Sequence, residues 1–202
     1  MSFMKKEYYQ KIMDLIPEKS RVLDLGCGNG DLLKTLISKK NCYGYGVDMD
    51  FHNIKGCIKR GISVFQGNIN EGLQEFRDKS FDVVLLSQTL QEVYDPVYVL
   101  LEMLRVGKKG IVTFPNFGHW HVRMNMIFKG FSPKTKSLPY EWYNTPNIRV
   151  VTIKDFRHLC KQKKITICDE IPLSKNTLFP WKIPLSFSNL LSQQGLFVLE
   201  KR

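Results

Sequence analysis

Arg21-Val22-Leu23-Asp24-Leu25-Gly26-Cys27-Gly28-Asn29-Gly30 sets three alternate glycines directly after five residues of strand character. The helical pattern Asp31-Leu32-Leu33-Lys34-Thr35-Leu36-Ile37 follows at once. Strand, tight turn and helix in that order make a βα turn of the ligand-binding kind. Glycine is needed there because the backbone turns sharply and a ligand approaches where a Cβ would collide. A turn without a ligand is the simpler reading. It loses ground because a second strand, residues 42–47, ends in Asp48, about twenty residues beyond the glycines, where dinucleotide folds hold ribose hydroxyls. The two features together define a nucleoside site.

Asp24 helps decide which nucleoside. A carboxylate two residues before the first glycine would repel a pyrophosphate, and a helix dipole offsets that repulsion only in part. S-adenosylmethionine has no phosphate; its sulfonium and ammonium are attracted by the same carboxylate. The spacing Gly26-x-Gly28-x-Gly30 also departs from the dinucleotide pattern G-x-G-x-x-G. With Asp48, this run is similar to the cofactor signature of class I methyltransferases. Asp24, Gly26, Cys27, Gly28, Gly30, Asp48 and Met49 are therefore expected to hold S-adenosylmethionine, with S-adenosylhomocysteine as the product form.

The bulk numbers bound the rest. A chain of 202 residues, 43% hydrophobic, suits one domain, 1–202, with a sizeable core. No apolar run reaches membrane-spanning length and the N-terminus lacks a signal-peptide core, so a cytoplasmic location without a membrane partner is expected. The five cysteines, at 27, 42, 57, 160 and 168, are odd in number and lack C-x-x-C pairing, which favours reduced thiols and no metal site. The net charge of +11 is uneven: 13 basic and 14 acidic side chains through Glu102, then 17 basic and 5 acidic from Met103 onward. Such asymmetry fits an acidic partner, an anionic substrate or nucleic acid, and equally a solvated lysine-rich surface.

Residues 5–16 form an apolar helical stripe stopped by Pro17 and placed beside the cofactor cleft. Residues 50–59 read as a helix ended by Gly61, and 62–66 as the third strand. In Gly67-Asn68-Ile69-Asn70, Asn68 offers an amide to adenine and Ile69 packs on the ring. Residues 81–86 are continuously apolar, as in a central parallel strand, and their exit, Ser87-Gln88-Thr89-Leu90-Gln91-Glu92, lies where such sheets bind ligands. A helix over Pro96–Val106 presents Val97, Leu100, Leu101 and Leu104 on one face; Lys108-Lys109-Gly110 then leads into a strand at 111–114.

Residues 116–150 are rich in aromatics, proline and base and read as a lid or interface insertion, helical over 122–128 and irregular over 132–147. A helix capped by Thr152 runs to Lys163, and residues 165–168 and 196–199 are the last strands. Residues 172–194, with three prolines and Trp181, form a second long connection. The alternation predicts an α/β fold: a doubly wound, mostly parallel, seven-stranded sheet with helices on both faces.

Four spaced motifs sharpen this. Ser87-Gln88-Thr89-Leu90-Gln91, Phe114-Pro115-Asn116-Phe117-Gly118-His119-Trp120, Leu138-Pro139-Tyr140-x-Trp142-Tyr143-x-Thr145-Pro146-Asn147-Ile148 and Thr152-Ile153-x-Asp155-Phe156 resemble the MetW family of methionine-biosynthesis proteins. The resemblance runs from Tyr8 to the last strand. It implies the class I methyltransferase (Rossmann-like) fold, a site for S-adenosylmethionine, and action beside homoserine O-acyltransferase in bacterial methionine synthesis. It leaves methyl transfer itself open. Asp48 stands where the family often has Glu, a change that keeps a ribose acceptor.

Ser87 joins the expected cofactor residues. Gln88, Gln91, Trp120, Arg123, Tyr140, Trp142 and Tyr143 are the candidates for contact with a substrate or partner. His119, following the fifth strand, is the candidate catalytic base, with His121 second; the alternative is a histidine that serves only as a structural hydrogen-bonding group. Nucleic acid is not expected, because Ser87-Gln88-Thr89-Leu90 lacks the N/D-P-P-Y/F tetrad and no basic and aromatic repeat tracks a strand. The reading is an adenosylmethionine-binding, methyltransferase-like protein that acts with or regulates homoserine O-acyltransferase. The alternative is a methyltransferase acting on a small molecule.

Overall fold

The computed structural model describes residues 3–135, 137–174 and 183–201, with side chains from Tyr8 onward. Seven strands form one sheet: β1 (Arg21–Leu25), β2 (Tyr43–Asp48), β3 (Ser63–Gln66), β4 (Phe81–Ser87), β5 (Gly107–Pro115), β6 (Ile165–Leu173) and β7 (Gln194–Lys201). Their order is β3-β2-β1-β4-β5-β7-β6, with β1 to β5 parallel and β7 antiparallel to both its neighbours. The strand order reverses between β1 and β4. In such sheets the ligand crevice lies at that switch point, outside the carboxyl ends of the strands, and both the glycine turn and the Ser87 exit fall there.

The helices are α1 (Phe3–Leu15), α2 (Asp31–Lys40), α3 (Phe51–Lys59), α4 (Pro96–Val106), α5 (Trp120–Lys129), α6 (Ile153–Gln162) and α7 (Ser188–Leu191). They cover both faces, because successive strand residues point to opposite sides. Leu23, Val84, Leu86, Val112 and Phe114 face one apolar layer with Leu100, Leu104 and Phe156. Val22, Val83, Leu85 and Ile111 face the other, with Ile12, Ile16, Leu33 and Leu36. The expected seven-stranded, mostly parallel, doubly wound sheet is the observed one. No helix among the described residues is long and apolar enough to cross a membrane.

Three local expectations need correction. α4 buries Val99, Leu100, Met103, Leu104 and Val106, whereas Leu101 is exposed and Val97 only half-buried. The helix is apolar nearly all round, so more than one stripe satisfies helical spacing. β5 begins at Gly107, not at 111: Phe81 pairs with Gly107, and Lys108 and Lys109 sit within the strand. Both lysines point to partners, Lys108 to Asp82 at 2.7 Å and Lys109 to Glu200 at 3.3 Å. β6 continues through Pro172 to Leu173, shortening the second connection; it is an edge strand, where a missing N–H is tolerated. Trp181 lies outside the described residues.

Asp50, Asp95 and Thr152 cap α3, α4 and α6, each side chain accepting from a backbone N–H two or three residues on. α5 spans more than the expected 122–128, and the described remainder of residues 130–151 is turn and loop.

Candidate functional site

Gly26, Gly28 and Gly30 all have positive φ, at 72°, 55° and 79°. A Cβ on Gly26 would lie 2.7 Å from the Thr89 side chain, so Gly26 is set by a neighbour on the far side of the crevice. A Cβ on Gly28 would meet nothing within 4 Å. Gly28 is therefore the glycine with an open face. Cys27, between them, turns its thiol into the core, with Sγ 3.9 Å from Cys57 Sγ.

Two buried carboxylates flank this turn. Asp48, at the end of β2, accepts from Gly28 N–H (2.8 Å), Asp50 N–H (2.9 Å) and Asn53 Nδ2 (3.2 Å), which fixes the turn to the strand. Asp24, on β1, is 2% exposed, and its Oδ1 has no hydrogen-bond partner. Burial first, and then the charge of Asp48, push the Asp24 carboxyl up to about 8. A buried carboxylate without a partner is costly. A ligand cation is the partner that such a site lacks. Asp24 and Asp48 thus fit a nucleoside carrying a positive group, and they oppose one carrying phosphates.

Met49, next to Asp48, is 69% exposed. Asn68 spends its amide on the turn that follows: Oδ1 accepts from Asn70 N–H (3.1 Å) and Asn70 Nδ2 (2.9 Å), while Nδ2 donates to Glu71 Oε1 (3.0 Å). One Nδ2 hydrogen remains for a ligand. Ile69 is buried beside it.

Across the crevice, Ser87 ends β4 and Gln88 adopts a left-handed conformation, φ 59°, unusual for a residue with a Cβ. Gln88 N–H donates to the Thr113 carbonyl at 3.0 Å, tying the strained residue to β5. Gln91 is buried; its Nε2 donates to the Gln88 carbonyl (2.6 Å) and its Oε1 is unpartnered. The Gln91 carbonyl accepts from both Ile148 and Arg149 N–H at 3.0 Å. The turn bordering the crevice therefore holds the end of the aromatic segment.

His119 is the N-cap of α5, its Nδ1 accepting from His121 N–H at 3.3 Å. It is buried, and burial, then His121, bring the imidazole down to about 4. The ring is neutral at physiological pH with its proton on Nε2, which has no partner among the described residues. Arg123 Nε donates to the Gly118 carbonyl (2.7 Å). Tyr140, Trp142 and Tyr143 are exposed, as are Phe128 and Phe131; Trp142 and Tyr143 meet edge to face, with centroids 5.7 Å apart. Trp120 lies between the rings of His119 and His121.

The structure thus gathers Asp24, Gly26, Cys27, Gly28, Gly30, Asp48, Ser87 and Gln88 at the mouths of β1, β2 and β4, and sets the aromatic candidates on an outer surface. Sequence reasoning missed Tyr8, whose hydroxyl reaches Ser87 Oγ (2.6 Å) and Thr113 Oγ1 (2.5 Å). It also missed Asn116, whose buried amide donates to the Asn189 and Ser192 carbonyls and accepts from Gly118 N–H. Tyr8 was visible only as a member of an apolar stripe; the hint was that a buried phenol needs a polar partner.

Sheet order, glycine turn and acidic strand end define a protein of the class I methyltransferase fold. A SAM-dependent methyltransferase from Thermotoga maritima superposes with a TM-score of 0.69 at 21% identity, covering 99% of this chain and 90% of that one. One from Mesorhizobium loti gives 0.70 at 13% identity, covering 95% and 96%. The family model described as methionine biosynthesis protein MetW matches residues 6–199, and the chain belongs to that family. A bifunctional methionine biosynthesis protein MetXA/MetW of Rhodopirellula baltica is 40% identical over an alignment of 171 residues that covers 80% of this chain and 27% of that protein. A ubiquinone biosynthesis O-methyltransferase of Hahella chejuensis is 33% identical over an alignment of 113 residues that covers 50% of this chain and 47% of that protein. The chain spans half or less of the length of these two relatives.

Proposed function

We propose that this protein binds S-adenosylmethionine at the crevice between β1 and β4 and signals its presence to homoserine O-acyltransferase. The observation that carries the reading is the buried Asp24 carboxylate without a partner, beside the open face of Gly28. In it, Asp24 takes the ligand's ammonium, Gly28 admits its backbone-facing edge, and Asp48 accepts from the ribose. Asn68 and Ile69 border the adenine, while Met49 and Ser87 complete the rim. The bound ligand supplies an electrophilic methyl group on sulfur.

Two observations support regulation over turnover. The first base that the sequence nominates at the strand-five exit, His119, is held near pKa 4 with Nδ1 engaged in a helix cap, which makes it a weak base at neutral pH. The Rhodopirellula relative carries MetXA and MetW in one name, which supports an acyltransferase as the partner. Residues 116–150 supply the contact surface through Trp120, Arg123, Tyr140, Trp142 and Tyr143, and Gln88 and Gln91 link it to the crevice. We place this role in the cytoplasm. The second reading, methyl transfer to a small molecule, draws on the partnerless Nε2–H of His119, which could orient an acceptor.

Calorimetric titration with S-adenosylmethionine and S-adenosylhomocysteine, with and without the acyltransferase, tests the proposal. Binding that weakens in Asp48→Ala and changes when the acyltransferase is added is expected, and reciprocity then requires that the ligand change partner affinity. Ligand affinity indifferent to the partner defeats the signalling role. Methyl transfer lost in His119→Ala would favour the second reading.

A further inference from the structure

Cys27 and Cys57 stand thirty positions apart in the sequence, yet their sulfurs lie 3.9 Å from each other beneath the glycine turn. Cys27 comes from the turn itself. Cys57 is, with Ile54, a residue that α3 buries. Two glycines make room for the pair: a Cβ on Gly46 would come within 2.5 Å of Cys27 Sγ, and one on Gly30 would stand 3.0 Å from Cys57 Sγ. Glycine weakens a strand interior, and at Gly46 the thiol accounts for it. The odd cysteine count and the lack of C-x-x-C spacing concealed a pair that the fold brings together.

The two thiols differ in access. Cys27 keeps 8% of its surface and Cys57 none, so a small oxidant reaches Cys27 first. Cys57 Sγ also donates to the Gly28 carbonyl at 3.2 Å, while Asp48, which accepts from Gly28 N–H, accepts in addition from Asp50 N–H and Asn53 Nδ2 at the start of α3. α3 is thus tied to both sides of Gly28. Whatever draws Cys27 onto α3 disturbs the open-faced glycine.

We infer that Cys27 and Cys57 form a redox modification site, at which a small peroxide closes a disulfide that distorts the glycine turn and switches off ligand binding. The effect on binding rests on the adenosyl-ligand reading of the crevice; the disulfide does not. In the first step the Cys27 thiolate attacks one oxygen of hydrogen peroxide and becomes a sulfenic acid, and the other oxygen leaves as water with the thiol's proton. Cys57 sulfur then displaces the sulfenic hydroxyl, which leaves as a second water with the Cys57 proton. Two thiols are oxidised and one peroxide is reduced. The sulfurs close from 3.9 Å to a bond of about 2 Å. The Cys57 bond to Gly28 is lost with its proton. Burial pushes both thiols up, and the charges of Asp24 and Asp48 push the same way. Few are thiolate at neutral pH, so the pair ignores a brief exposure and answers a sustained one.

Reduced protein treated with hydrogen peroxide, with and without S-adenosylhomocysteine, provides the test, read by intact mass, peptide mapping and calorimetric titration. A loss of about 2 Da, two hydrogens, is expected and maps to a Cys27–Cys57 crosslink. Affinity for S-adenosylhomocysteine should fall at least about tenfold in the crosslinked protein. Dithiothreitol should restore mass and affinity together, and bound ligand should slow the crosslinking. Cys57→Ser and Cys57→Ala should bind as wild type when reduced and give no crosslink. Absence of the Cys27–Cys57 crosslink in the wild type, or a crosslink that leaves affinity unchanged, overturns the inference. Failure of the reduced wild type to bind overturns instead the adenosyl reading, and the mass change still reports on the disulfide.

Discussion

Asp24 is the residue on which the site turns. Its carboxyl sits near 8 when the crevice holds no cation, against 3.8 ordinarily, so the folded chain binds a proton that the unfolded chain has released between about pH 4 and pH 8. A raised acid in the native state means that stability falls as pH climbs through that window. Asp24→Asn keeps the shape and removes the charge. The ligand-free variant is therefore expected to melt higher than wild type at pH 8, by about 2–4 °C for each kcal/mol relieved, with little difference at pH 4. S-adenosylhomocysteine should protect wild type and not the variant. Thermal melts at the two pH values check both statements, and equal melting of wild type and variant at pH 8 would contradict the buried, partnerless carboxylate.

The glycine turn is the element that makes the strands into a site, and its glycines answer to different constraints. Gly26→Ala drives a methyl group to 2.7 Å from Thr89 in addition to a positive φ. Gly28→Ala meets no protein atom and carries only the left-handed cost, about 1–2 kcal/mol. Denaturant unfolding should rank Gly26→Ala as the less stable variant. Gly28→Ala, in contrast, should lose most of its ligand affinity while remaining folded. Equal stability with intact binding in Gly28→Ala would mean that no ligand approaches there.

At this scale the sequence was informative where local chemistry acts alone. Glycines before a helix, Asp50, Thr152 and the apolar run of β4 each signal their role within a few residues. It was less so where distant charge decides: Lys108 and Lys109 read as the approach to a strand starting at 111 because Asp82 and Glu200, which pair with them, lie on other strands. In α4, surplus apolar residues left the buried face undetermined until β4 and β5 chose Val99 and Met103. Tyr8 carried no local mark of its role, since a phenol in an amphipathic helix is ordinary until two strand ends supply its partners.

For the whole molecule, the sheet puts the crevice at one edge of its strands and the aromatic segment 130–151 beside it. Joint substitution Trp142→Ala and Tyr143→Ala should leave ligand affinity and melting temperature nearly unchanged, because both rings are largely exposed. Affinity for the acyltransferase should fall at least tenfold, as for a pair of aromatic hot spots. Surface plasmon resonance measures this, and undiminished partner binding would move the interface elsewhere on the chain.

The two N–H groups that Ile148 and Arg149 give to one Gln91 carbonyl have a kinetic meaning. Phe117 N–H donates to the Val151 carbonyl and so ties the start of the insertion to its end. A partner arriving at Trp142 meets a closed loop anchored at its base, not a free arm that must first be ordered. Its encounter rate should then owe little to the ligand. In the proposed role, adenosylmethionine bears on the Gln88–Gln91 turn beneath the anchor and is expected to alter how long the complex lasts, so the signal would be written in the dissociation rate.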